Sequence, residues 1–335
     1  MKDIVTLFTA ILLTIVGIVA VTHSQNQDEE TIKSAIDDMS SPESLMKGWM
    51  IFQNNRDLPD DLVNKYLLAA IKNNPGFKEE GARMYARMIL VEHHAVRTDE
   101  GYDLFVQDLK DPWREIKDIA TRALFETPVE KQDRTSRMLV DFLTNYMANA
   151  SDEIGGVRSI FGNTLSTIQS FGARAYGIRD DIKAMAENLT ADEDYRDEAR
   201  YTYLRIVGLN EFLDSYPNPD DHLVESMLES LNRYSGKIRK QTVDDESARD
   251  RASSFILNLL KSTDEKVRKN AIQYSNPIAF WYRYYPSDST KSYYRKLVGA
   301  LTGLISTETN DETKSLIADK LEKFEEFTNQ SIKKK

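Results

Sequence analysis

One short pattern recurs along the chain and narrows its folding options more than any other feature. An apolar or small residue is followed by a basic one, then two residues, then a small or apolar one. The instances are Ala82-Arg83-x-x-Ala86, Ile116-Lys117-x-x-Ala120, Tyr195-Arg196-x-x-Ala199, Ala248-Arg249-x-x-Ala252 and Val267-Arg268-x-x-Ala271, with Val157-Arg158-x-x-Phe161 as a variant. Acidic residues precede each. Basic positions 83, 117, 158 and 196 lie 34, 41 and 38 residues apart. A self-similar period of about 40 residues is the signature of stacked helical units. Residues i and i+4 share a helix face, and a small residue there lets a neighbouring helix approach closely. Carboxylates in the first turn suit the positive end of the helix dipole. The Arg or Lys can reach such a carboxylate in its own or an adjacent unit, forming a ladder. Arg249 and Arg268 are only 19 apart, so one of them falls off the main register.

The surrounding sequence also reads as helix. Glycine is scarce, 14 in 335 residues, and no segment alternates with period two between turn signals, so strands have no foothold. Ser41-Pro42, Asp111-Pro112, Thr127-Pro128 and Asn218-Pro219 each set a capping residue before a proline suited to the first helical position. Thr190–Glu193, Ser262–Glu265 and Thr309–Glu312 have the spacing of a capping box.

Asp111-Pro112-Trp113-Arg114-Glu115-Ile116-Lys117-Asp118-Ile119-Ala120-Thr121-Arg122-Ala123-Leu124 resembles the second-helix signature of HEAT repeats, with Ile for Val and Lys for Arg. Asp264-Glu265-Lys266-Val267-Arg268-Lys269-Asn270-Ala271 is similar. The resemblance covers about residues 77–275. It implies an all-α fold, an α-solenoid of stacked antiparallel helix pairs, and it implies no reaction. Residues 26–76 and 276–335 lack the signature and are expected to form N-terminal and C-terminal helical caps. Tyr66–Phe77, with Asn74-Pro75, looks like a single tetratricopeptide unit, the rival repeat reading.

Residues 4–22 carry no charge. As a helix at about 1.5 Å per residue they reach about 28 Å, close to the hydrocarbon thickness of a bilayer. Lys2 lies before the run, and Asp28, Glu29 and Glu30 follow it, which favours an N-inside orientation. The run is longer than the apolar core of most signal peptides. Residues 1–25 are therefore expected to be a signal-anchor that tethers an exported chain to the membrane. A signal peptide cleaved after Ala20 or near Ser24, giving a secreted protein, is the alternative.

Composition excludes several chemistries. Without cysteine there is no disulfide framework, thiolate metal site or cysteine nucleophile. A net charge of -10 disfavours broad nucleic-acid binding. Of the four histidines, only His93 and His94 are adjacent, and they project about 100° apart on a helix, unable to share a metal. No Gly-x-Ser-x-Gly elbow or phosphate-binding glycine loop occurs. Catalytic, cofactor and metal residues are thus not expected.

The densest local anomaly is aromatic: Phe280, Trp281, Tyr282, Tyr284, Tyr285, Tyr293 and Tyr294, interleaved with Arg283, Lys291 and Arg295. Trp281, Tyr282, Tyr284, Tyr285, Tyr293 and Tyr294 are the candidate partner-binding residues, because Trp, Tyr and Arg dominate binding hot spots. The same residues could instead pack the last repeat against the C-terminal cap. The expected function is a non-catalytic, membrane-tethered or exported scaffold that holds a protein or peptide. The alternative is an exported enzyme acting on glycan or peptidoglycan through an Asp/Glu pair about 5–9 Å apart beside exposed aromatics.

Overall fold

The computed structural model describes residues 25–149, 154–217, 219, 221–237 and 246–332. Among them every regular element is helical and there is no strand. The hydrophobic run 4–22 lies outside the described residues, as does the side chain of Arg158. No helix among the described residues is long and apolar enough to cross a membrane.

The chain divides into two compact units, Met1–Thr135 with Asn149–Thr167, and Ser136–Ala148 with Ile168–Lys335. In the first unit, α1 (25–39), α2 (Leu45–Asn54), α3 (Asp60–Asn73), α4 (Glu80–Glu92), α5 (Asp99–Asp108) and α6 (Arg114–Ala123) follow one another with short connections. α7 (Gln132–Asn149) and α8 (Ile154–Phe171) run through both units. Helices meet two elements on as well as next door. α4 packs on α2 and α6, while α3 packs on α5. Polar contacts extend both rows: Thr167 of α8 donates to the Thr121 carbonyl of α6, and Tyr102 of α5 meets Thr135 of α7 at 3.0 Å. Leu67, Ala86, Ile89, Phe105, Ile116 and Ala120 are fully buried between the rows.

In the second unit, α9 (Arg179–Glu187) packs on α10 (Glu193–Ser215), and α10 on α11 (Asp221–Lys237). Beyond these come α12 (Glu246–Leu259), α13 (Glu265–Gln273), α14 (Asn276–Tyr284), α15 (Asp288–Thr307) and α16 (Asp311–Ile332). One row runs α10–α12–α15. The other runs from α11 to α16 through α13 and α14 together, which share one place in the row. Pro277 near the start of α14 explains the break, because it has no N–H to continue the preceding helix. Leu228, Ile256, Ala271, Leu297, Leu301 and Ile317 form a fully buried core.

The recurrent motif acquires its physical meaning here. Ala82, Ala86, Ile116, Ala120, Ala199, Ala248, Ala252, Val267 and Ala271 are all buried. Among the described residues Arg83 pairs with Asp111 of the next motif, and Arg268 reaches Glu308 at 3.2 Å. The register question is also resolved. α12, with Arg249, stands in the row of α10, whereas α13, with Arg268, stands in the opposite row.

The helix starts fall one to four residues later than the sequence signals. Asp192 and Asp264 cap α10 and α13 with their carboxylates, accepting from Asp194 N and Val267 N. Thr190 instead hydrogen-bonds Asn188, and Ser262 accepts from Asp264 N. After Asp111-Pro112 the helix opens at Arg114, since Asp111 turns back to accept from Trp113 N. Ser287–Thr290 forms a reciprocal capping box that the sequence rule, which looks for Glu at the fourth position, does not flag.

Gly48 and Gly208 show two of the backbone roles that glycine fills here. Gly48 on α2 is buried against α1, and a Cβ there would collide with the Ala35 carbonyl and lie 2.8 Å from Met39 N. Gly208 sits inside α10 at φ 79°, ψ 175°, a region open essentially to glycine alone, and breaks the helix in two. The last two turns, 209–215, thereby take their own direction.

Candidate functional site

The aromatic cluster lies within the second unit, and its members serve different ends. Trp281 is only 1% exposed and belongs to the core, so it presents nothing to a partner. Tyr282 stacks on Tyr294 at 4.5 Å between ring centroids and 13° between planes. Tyr294 in turn meets Phe324 edge-on and donates its hydroxyl to the Phe324 carbonyl of α16 at 2.9 Å. Tyr285 lies under the Arg249 guanidinium at 4.9 Å. Tyr284 is the most open; its ring packs along Phe280, with Arg283 5.4 Å from its centre. These contacts tie α14 to α15 and α16.

Tyr293 departs from that pattern. It hydrogen-bonds Ser254 of α12 at 2.9 Å and lines a groove of about 770 Å³ along the α10–α12–α15 row. The apolar part comes from Leu213, Tyr216 and Phe255, and the polar part from Asp214, Glu246, Asp250, Arg251 and Asn258. The shape follows from the row. α12 runs along the groove, offering Glu246, Asp250 and Arg251 on one face while Ala248, Ala252 and Ile256 anchor the other in the core. That is the helical three-four spacing at work.

Three carboxylates against one guanidinium leave the groove acidic. Arg251 is held by Asn210 at 2.9 Å and by Asp214 at 2.5 Å, and Asp214 remains two-thirds exposed. Both oxygens of Asp250 accept from the Ser289 hydroxyl at 2.6 Å. Tyr216, at the end of the groove, packs edge-on against Phe212 and Tyr203. Burial pushes its phenol up to about 12, partly opposed by Arg200. No group of three or more His, Asp or Glu side chains suited to a metal occurs among the described residues.

Sequence reasoning named Tyr293 and missed the rest. A signal was present all the same. Asp250 and Arg251 are the two unspecified positions of Ala248-Arg249-x-x-Ala252. In the first unit the equivalent positions Met84 and Asp118 also line an open surface hollow. The first unspecified position of the motif thus faces outward at Met84, Asp118 and Asp250, while the second is buried at Ile119 and Asn270.

His93 and His94 serve as helix-end anchors. His93 is buried and meets Asp60 at 2.8 Å, while His94, at φ 53°, turns the chain and meets Glu126 at 2.6 Å. Both lie beyond the last residue of α4, so the divergence expected of neighbours within one helix does not apply, and their ring nitrogens go to different partners.

Comparison of the chain with protein-family models and with curated proteins gives no match.

Proposed function

We propose that this chain is a non-catalytic scaffold, an α-solenoid of HEAT-like helix pairs, that holds a basic peptide segment in the α10–α12–α15 groove. The observation that carries the reading is the groove itself, about 770 Å³ with an acidic excess and apolar ground at Leu213 and Phe255. Charge complementarity of this kind raises association rates and selects partners. The solenoid part draws support from the two-row packing within each unit and from side-chain bridges between residues 28 to 47 positions apart, close to one motif period. Repeat arrays bind partners along such extended surfaces. Tethering to a membrane through residues 4–22, with residues 26–335 exported, completes the proposal and rests on the uncharged run alone.

A second reading keeps the groove and makes it catalytic, an exported enzyme acting on glycan through Asp214, Glu246 or Asp250. The engagement of Asp214 by Arg251 and of Asp250 by Ser289 supports fixed acceptors over a mobile acid and base.

The test is fluorescence anisotropy of the full chain with labelled ten-residue peptides of graded charge. Peptides carrying Lys or Arg around one Leu or Phe should bind, more weakly at higher salt. Asp214→Asn with Asp250→Asn should weaken them about tenfold or more. Equal affinity for acidic peptides, or no change in the double variant, rejects the reading. Release of reducing sugar from peptidoglycan by the wild type, and not by Asp250→Asn, would establish the enzyme instead.

A further inference from the structure

The first unit holds a smaller and better-enclosed cavity, about 200 Å³, where α4, α5, α6 and α8 meet. Its floor is apolar and fixed: Val96, Phe105 and Ala123 are each at most 3% exposed. One wall is the Phe125 ring, which stands 53% exposed. The mouth is polar, formed by Arg122, Glu126, Asn163 and Ser166. An apolar hole with a polar mouth in a helical surface is a receptor for something amphiphilic. Its volume lies below the roughly 300–1,000 Å³ of sites for small molecules of drug size, so it takes about one side chain.

The mouth specifies what that side chain is attached to. The Arg122 side chain is 55% exposed and is held through its Nε by Asp118 at 3.2 Å, which leaves the two terminal nitrogens for another carboxylate. Ser166 is exposed on the same rim. The negative charges nearby are already engaged. Glu126 is paired with Arg97 at 2.8 Å and His94 at 2.6 Å, and Asp118 also accepts from Asn163 at 2.7 Å and Ser159 at 3.2 Å. A guanidinium fork matches a carboxylate in plane and spacing.

We propose that this pocket captures the C-terminus of a partner chain ending in an apolar residue. The last side chain fills the hole over Phe105 and Ala123. The terminal carboxylate is received by Arg122 and Ser166. Phe125 covers the residue before it. The site belongs to the first unit alone, whereas the acidic groove belongs to the second and takes a partner of opposite charge.

The experiment is anisotropy of the full chain with the labelled peptide Gly-Gly-Ser-Gly-Leu as free acid and as C-terminal amide. The free acid should bind at least tenfold more tightly than the amide. Arg122→Gln should erase that difference. Ala123→Leu, which fills the hole, should abolish binding of both, and circular dichroism reports whether it remains folded. Arg122→Gln alters an exposed side chain and decides the matter even if Ala123→Leu does not fold. Equal binding of acid and amide assigns the pocket to an internal apolar side chain and overturns the proposal. Insensitivity to Arg122→Gln, or no binding of the free acid up to millimolar concentration, overturns it equally.

Discussion

Gly48→Ala and Gly303→Ala make the same chemical change inside two helices and should move stability in opposite directions. Helix propensity alone favours alanine over glycine by about 1 kcal/mol at both. Around Gly303 no atom lies within 4 Å of the added methyl, so the propensity gain stands, and stability should rise by about 0.5–1 kcal/mol. At Gly48 the methyl would overlap the Ala35 carbonyl and sit 2.7 Å from Met39 Cγ and 2.8 Å from Met39 N. Two of those three atoms are backbone, so a rotamer change cannot relieve the clash. α1 would have to withdraw, loosening Ile32, Ala35 and Met39, which are fully buried. Overpacking of this kind costs about 1–3 kcal/mol. Taking the upper end and subtracting the propensity gain gives a net loss of about 2 kcal/mol. Urea unfolding of the full chain, followed by circular dichroism at 222 nm, reads both variants. If Gly48→Ala is neutral or stabilising, α1 does not pack on α2 as described. If Gly303→Ala destabilises, the open surface assigned to that stretch of α15 is wrong.

Trp281→Ala should cost about 3–5 kcal/mol of stability, because it empties a fully buried site, whereas Tyr284→Ala should cost less than about 1 kcal/mol; urea midpoints of the two separate core from surface within the aromatic cluster. Burial, with a smaller contribution from Lys323, lowers the Lys320 ammonium to about 8 from its ordinary 10.5. Between those values the unfolded chain holds a proton that the folded one lacks, so stability rises with pH across that window, while below it the cost of the buried charge is fully present. Lys320→Met should remove the rise, and thermal melts from pH 7 to 10.5 check it.

The helical class was open to reading because it is written locally, in the four-residue spacing of Ala82 with Ala86 or Ala248 with Ala252 and in the scarcity of glycine. Helix starts were less legible. Ser262 and Asp264 are both competent caps two residues apart, and only the assembled turn chooses the carboxylate. The place of Arg268 was hidden for another reason. α13 follows α12 directly but stands in the opposite row, so the 19-residue spacing joins sequence neighbours and not successive members of one row. The aromatic run between Phe280 and Tyr294 announced its density but not its direction. Tyr282 turns to stack on Tyr294 and Tyr293 turns to Ser254, choices set by α15 and α12. The acidic groove was illegible because Asp214, Asp250 and Tyr293 come from three helices, and no sequence window contains them all.

Gly208 gives the groove an unusual dependence. Leu213 and Asp214 lie on the short helical piece that follows it, so where they stand is fixed by one torsion pair, φ 79° and ψ 175°. The residue that aims this wall touches nothing in the groove. Two chains could therefore share every lining side chain and still differ in what they accept, if one of them has a residue with a Cβ at that joint. In this fold part of the recognition would be inherited as a bend, and a comparison confined to lining residues would pass over it.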